Sequence, residues 1–147
     1  MEIKSPSTLI NGYFIKDKVT GNIRISQDDT DLSSELADFI LQTGPFITSE
    51  TKLVIKDDQP ARRILVGKTA KDEFYFLAVT ESDNTHSGPL LGDLSQIISI
   101  LNTQLNAKRF TLNALLNLDG GSASAFHTDK EIQLSELTPI GSFLCGK

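Results

Sequence analysis

Sulfur and imidazole are scarce in this 147-residue chain, which holds one cysteine, Cys145, and two histidines, His86 and His127. A single cysteine excludes an intrachain disulfide, which fits a reducing compartment and equally an exported bacterial protein without disulfides. Three such residues are too few for a His/Cys zinc site, so no transition-metal centre is expected. A reactive thiolate needs a basic partner, and only Lys147 stands near Cys145 in sequence. Cys145 therefore reads as a buried residue of a last strand, and both histidines read as surface residues. Long apolar runs are also missing, so no membrane span is expected. Residues 1–6 are polar and precede only a short apolar run, which is unlike a signal peptide. Basic charge is in deficit as well, with 14 Lys and Arg against 19 Asp and Glu, a net −5 that argues against a nucleic-acid partner.

What remains is ordinary globular material: 39% apolar and 22% charged residues. A chain of this length buries one sizeable core, so a single domain over 1–147 is expected. Residues 9–15, broken by Asn11-Gly12, and residues 22–26 read as strands, with Gly21 in the turn between them. Asp28, Asp29 and Asp31 form an acidic loop. Leu36, Phe39 and Ile40 fall on one helical face, which predicts a helix over 33–42, capped by Ser33 or Ser34. Pro45 ends it, because the residue before a proline disfavours helix.

Residues 46–48 and 53–55 read as short strands. Residues 63–68 and 74–80 are stronger ones, rich in β-branched and aromatic side chains and joined through Asp72-Glu73. Residues 81–87 are polar and expected at the surface. Leu90, Leu91, Leu94, Ile97, Ile98, Leu101 and Leu105 recur at helical spacing. Pro89 suits the first turn of that helix, Ser87 or Gly88 its cap, and Lys108 and Arg109 its far end. Residues 115–118, 123–127 and 140–145 complete the strands. The expected class is α+β: a mixed, mostly antiparallel sheet with two main helices packed on it.

The segment richest in chemistry is Asn117-Leu118-Asp119-Gly120-Gly121-Ser122-Ala123-Ser124. An apolar strand ends in an acid, two glycines and serines. The glycines let a ligand approach the backbone, and their N–H groups suit an anion-binding nest. Asp119 is then a candidate base or nucleophile. The same residues also make a tight hairpin turn. Arg63, beside Arg62, opens a strand with a guanidinium suited to phosphate. Asn11-Gly12-Tyr13-Phe14 combines an amide with aromatics, as a sugar pocket does and as a bulged core strand also does. Gln42-Thr43-Gly44-Pro45 and Asp93 carry further polar groups. A hard cation, calcium or magnesium, on Asp119 and backbone oxygens is the one metal site this composition leaves open.

In order and spacing these segments resemble the phosphodiester glycosidase family. Asn11-Gly12-Tyr13-Phe14 is similar to that family's NGGFF segment, and 41–45 to its LQTGP element. Residues 63–67 are similar to its RTAIG strand, 88–94 to the start of its long helix, and 117–124 to its NLDGGGSS motif. The final segment, 139–144, also fits. The likeness runs from about Thr8 to Cys145. It departs at Asp93, where the family more often has glutamate, and at Ile64-Leu65, where it has small residues. The segment before Asn11 is short, so one or two N-terminal family strands are expected to be missing.

The resemblance implies a hydrolase that splits a sugar-1-phosphodiester, such as an N-acetylglucosamine-1-phosphodiester, into free sugar and phosphomonoester. It further implies a setting in bacterial exopolysaccharide or cell-envelope glycan metabolism, outside the cytoplasm, with a sugar phosphodiester or polysaccharide as partner and no cofactor. Because phosphate leaves readily, such a site must mainly grip the anion, stabilise an oxocarbenium-like centre and activate water. In that scheme Asp119, Arg63 and Asp93 are the catalytic candidates. Asn11, Gly12, Phe14, Gln42, Thr43, Gly44, Gly120, Gly121 and Ser122 are the substrate-binding ones. Two alternatives belong to other classes: a non-catalytic saccharide-binding module with the same fold, and a purely structural domain.

Overall fold

The strands form where apolar and β-branched residues alternate across two faces and where a turn residue lets the chain reverse. A computed structural model describes residues 9–27, 36–105, 110–140 and 144–145. Strands β1 (Gly12–Asp17) and β2 (Ile23–Ser26) make an antiparallel hairpin. Its turn is built by Asp17, whose carboxylate accepts hydrogen bonds from the amides of Val19 and Thr20 and from the Thr20 hydroxyl. Those bonds favour the charged form and hold the Asp17 carboxyl below its ordinary value.

Strand β3 (Ala37–Thr43) pairs antiparallel with the other edge of β1, giving the order β2-β1-β3. This corrects the expected helix over 33–42, of which residues 33–35 lie outside the described residues. Leu36, Phe39 and Ile40 match a helical period, but Ile40 and Leu41 face opposite sides of a sheet and join different core clusters. Pairing with β1 outweighs a local pattern only a few residues long.

A second sheet has the order β4-β7-β5-β6. It comprises β4 (Phe46–Ile47), β5 (Arg63–Thr69), β6 (Phe74–Val79) and β7 (Leu112–Gly120). All its pairings are antiparallel. The β5–β6 hairpin turns through Asp72, whose φ is +60°. Residues 53–55 form no strand, and Val54 is fully exposed.

One helical element packs on this sheet: a 3-10 turn (Leu91–Asp93) running into α1 (Leu94–Leu105). Leu94 and Ile98 of α1 meet Ile47, Leu65, Leu112 and Leu115 in the largest core cluster. The opposite face of the same sheet, through Val66, Ala114 and Leu116, packs on Phe14 and Ile25 of the first sheet. The architecture is α+β, with one main helix rather than two among the described residues.

The helix start also differs from expectation. Neither Ser87, Gly88 nor Pro89 caps it; the N-cap position is Leu90, without a side-chain bond. The Asp58 carboxylate instead accepts from the amides of Leu91, at 3.2 Å, and Gly92, at 2.9 Å. An acid at a helix N-terminus satisfies free donors and complements the dipole.

A small hairpin, β8 (Phe126–His127) with β9 (Gln133–Leu134), follows the central sheet. Cys145 is exposed rather than buried, and Ile140, Leu144 and Cys145 lie in no strand. The rest of that expected strand, the acidic loop from Asp28 onward, and Lys108 and Arg109 lie outside the described residues. No helix is long and apolar enough to cross a membrane among the described residues.

Candidate active site

Strand β7 is buried at Leu112 and from Ala114 to Leu116, and its apolar run changes character at Asn117. Its register with β5 shifts between Ile64 and Leu65, so Leu118 is an extra residue: Leu65 faces Asn117, while Ile64 faces Asp119. Such a bulge bends a strand and re-aims its side chains. Beyond it, Arg63 pairs with Gly120. Asp119 and Arg63 therefore sit on neighbouring strands, one register step apart, with Asp119 paired to Ile64 and Arg63 to Gly120, pairs whose side chains alternate between the two faces of the sheet.

The bulged end is braced by side chains from the first sheet. The Thr43 hydroxyl lies 2.9 Å from the Asn117 carbonyl and 3.1 Å from that of Leu118. Asn117 Nδ2 donates to the Gly44 carbonyl at 2.9 Å, and its amide donates to the Pro45 carbonyl. Asn117 Oδ1 is buried with no partner among the described residues. Asn11 Oδ1 accepts the Phe46 amide at 2.8 Å. Gly44 has to be glycine: a Cβ there would stand 2.7 Å from the Leu9 carbonyl and 3.0 Å from the Asn11 amide. These contacts gather Asn11, Thr43 and Gly44 at the Asn117–Leu118 bulge. Gln42 is paired with Tyr13 in the adjoining ladder, and Gly12 with Thr43. Phe14 is 6% exposed and belongs to the core between the sheets.

Arg63 is held from the other side. Its Nε donates to the Pro89 carbonyl at 3.2 Å and its Nη2 to the Gln59 carbonyl at 2.8 Å. Asp58 lies 3.6 Å from Nη2, with both side chains largely buried. Burial pushes the guanidinium below its ordinary value and the Asp58 charge opposes that shift; an arginine so placed stays cationic. Nη1 has no acceptor among the described residues and is directed at Gly120, where an added Cβ would lie 3.2 Å away. Asp58 thus ties Arg63 to the helix start that carries Asp93. Asp93 itself is exposed, and its carboxylate has no partner among the described residues.

The glycine loop is not an open nest. The Gly120 amide donates to the Asp119 carboxylate at 2.6 Å, and the Gly121 amide to the Arg62 carbonyl at 3.0 Å. Gly121 has φ +75°, which permits the sharp turn into a 3-10 turn (Gly121–Ala123). Ser122 is exposed and turned toward the returning chain: its carbonyl accepts the Leu137 and Thr138 amides, and its hydroxyl lies 3.3 Å from that of Thr138. Asp119 is exposed at the strand end.

Of the sequence-predicted residues, Asn11, Thr43, Gly44 and Arg63 gather at the Asn117–Gly120 end of β7; Gly12 and Gln42 lie in the adjoining β1–β3 ladder, Ser122 turns toward Thr138, Phe14 lies in the core, and Asp93 connects to the group only through Asp58 and Arg63. A family model for phosphodiester glycosidases matches residues 6–142. The chain belongs to the phosphodiester glycosidase family. Every residue of the candidate site falls within the matched span. No curated protein and no solved structure gives a match.

Three residues of this glycosidase-family site escaped sequence reasoning. Asp58 caps the helix and pairs with Arg63 from a loop with no distinguishing pattern. Asn117 sits in the recognised motif but reads there as one more strand residue. Arg62 is fully buried, which a dipeptide of arginines does not reveal. His86 is half-buried and His127 exposed. Among the described residues no three His, Cys, Asp or Glu side chains gather around a metal-sized space. A depression on the outer face of α1, lined by Gln96, Ser99, Ile100, Thr103 and Gln104, carries no acid, base or cation.

Proposed function

We propose that this phosphodiester glycosidase family member hydrolyses a sugar-1-phosphodiester, releasing free sugar and a phosphomonoester. The single observation that carries the proposal is the arrangement at the end of β7. An exposed carboxylate, Asp119, stands one register step from a tethered arginine whose Nη1 faces Gly120. The bond between the anomeric carbon and the phosphate oxygen breaks, and its electron pair leaves with the phosphate. Arg63 meets that charge with a guanidinium already fixed by Pro89, Gln59 and Asp58, so little ordering remains on binding. Water adds to the anomeric carbon and its proton passes to a base, the role given to Asp119. Asn11, Gln42, Thr43 and Ser122 orient sugar hydroxyls or phosphate oxygens. Bacterial polysaccharide or cell-envelope glycan is the substrate setting we favour.

A second reading, a saccharide-binding module without turnover, draws on one feature: the amides of Gly120 and Gly121 are already satisfied by protein oxygens. Incubation with a panel of hexose and N-acetylhexosamine 1-phosphodiesters separates the two. Free sugar and phosphomonoester in equal amounts are expected. Saturable binding with no product supports the module, and neither binding nor product removes both readings.

A further inference from the structure

Arg62 is the most deeply buried charged residue described, at 0% exposure. Burying a guanidinium is costly unless oxygen acceptors surround it. Here they come from three separate stretches of chain. Nε donates to Ser124 Oγ at 3.0 Å, and Nη2 to the carbonyls of Ser124 and Ser135, the latter at 2.9 Å. Nη1 reaches the Thr85 carbonyl at 3.3 Å. Burial lowers the pKa and the charge of Glu136 opposes the shift.

The backbone of Arg62 is part of the same construction. Its carbonyl accepts the Gly121 amide at 3.0 Å, and a Cβ on Gly120 would stand 2.8 Å from it. Ser124 Oγ, which accepts from Nε, donates in turn to the Gly121 carbonyl at 2.8 Å. A closed circuit therefore runs from the Arg62 side chain through Ser124 and Gly121 back to the Arg62 carbonyl. Two consecutive glycines have little preference for one path, so their path is set from outside, by this circuit.

We propose that Arg62 is a positioning residue: its buried guanidinium sets the course of residues 120–124 and hence the attitude of Asp119, which it does not touch. Arg63 deals with the ligand, while Arg62 shapes the loop. The catalytic half of the claim rests on Asp119 being the reactive carboxylate; the structural half does not.

Amide hydrogen exchange on the full chain tests the structural half, using Arg62→Lys and Ser124→Ala. Lysine keeps the charge but cannot serve spread acceptors with a planar fork. Ser124→Ala leaves the arginine and removes the hydroxyl link. Both are expected to speed exchange at residues 121–124 and 134–136 by about tenfold or more, the scale of losing one hydrogen bond to a charged group. Amides of the β5–β7 ladder should keep their protection. Unchanged exchange in the loop of both variants overturns the proposal, and if Arg62→Lys does not fold, Ser124→Ala alone decides. On any phosphodiester the wild type hydrolyses, kcat should fall in both variants while KM stays within about threefold, because Arg63 is intact. A loss carried by KM at constant kcat contradicts positioning. Should the wild type turn over none of the substrates, the hydrolase reading fails and exchange still decides whether Arg62 sets the loop.

Discussion

The two halves of β7 are held by different forces. From Leu112 to Leu116 the strand is buried except at Asn113, between α1 on one side and the first sheet on the other. Its stability comes from apolar area removed from water. From Asn117 to Gly120 the apolar contacts thin out and named hydrogen bonds take over: Thr43 and Asn117 at the bulge, Arg62 and Ser124 beyond it. The first half is sensitive to lost volume. The second is sensitive to lost hydrogen-bond partners, since its polar groups are held in fixed directions. A strand that joins both regimes presents an exposed acid on a rigid base, which suits a catalytic group.

The largest expected effect falls on the apolar half. Leu115→Ala removes a fully buried side chain from the core under α1. Chemical denaturation should show a loss of about 2–5 kcal/mol, the range for such cavities. A loss below about 1 kcal/mol means that this half is not the packed base described here.

Next comes the guanidinium fork at the site. Arg63→Lys loses the fork held by Pro89 and Gln59 and the Nη1 corner facing Gly120. Binding of a sugar-1-phosphodiester should weaken by about 1.5–3 kcal/mol, tenfold or more. Calorimetric affinity equal to wild type removes Arg63 from the phosphate site.

Thr43→Val tests the brace at the bulge. It keeps the shape and deletes the hydroxyl that bonds two carbonyls of β7. Stability should fall by about 0.5–1.5 kcal/mol, with faster amide exchange confined to residues 117–120. Exchange that rises equally along the whole of β7 erases the distinction between its halves.

The smallest effect lies outside both halves, at the β1–β2 turn. Asp17 has a depressed pKa in the folded chain, so the stability it contributes is present above its ordinary 3.8 and is lost as pH falls through the lower folded value. Asp17→Asn should be slightly less stable than wild type at pH 7, and the gap should begin to narrow as pH falls to about 3.8 and close below the lower folded value, where wild-type Asp17 takes up its proton. A gap that persists at low pH points to a cause other than the charge.

Much of this was legible in the sequence, and the failures share a cause. β5, β6 and residues 115–118 of β7 declare themselves through large apolar or β-branched residues, whereas the start of β7 at Leu112, with Asn113 and Ala114, does not. The segment from Asp119 to Gly121 reads as a turn, and Gly121 at φ +75° opens one. β3 was misread as helix because Leu36, Phe39 and Ile40 satisfy a helical period, and only pairing with β1 reveals the alternation of Ile40 and Leu41. The Asp58 cap is 33 residues from Leu91, so no local rule finds it. The division of labour between Arg62 and Arg63 depends on which neighbour is buried, and that follows from acceptors far along the chain, at Thr85, Ser124 and Ser135.

Asp119→Asn tests the central claim most directly. The amide keeps the size of the side chain and its oxygen toward the Gly120 amide, and it removes the charge; as a turn former, asparagine serves nearly as well. Rates of sugar release from a sugar-1-phosphodiester should fall by about a hundredfold or more, with thermal unfolding unchanged within experimental error. Equal rates in the folded wild-type and Asp119→Asn proteins contradict the assignment of Asp119 as the group that does the chemistry.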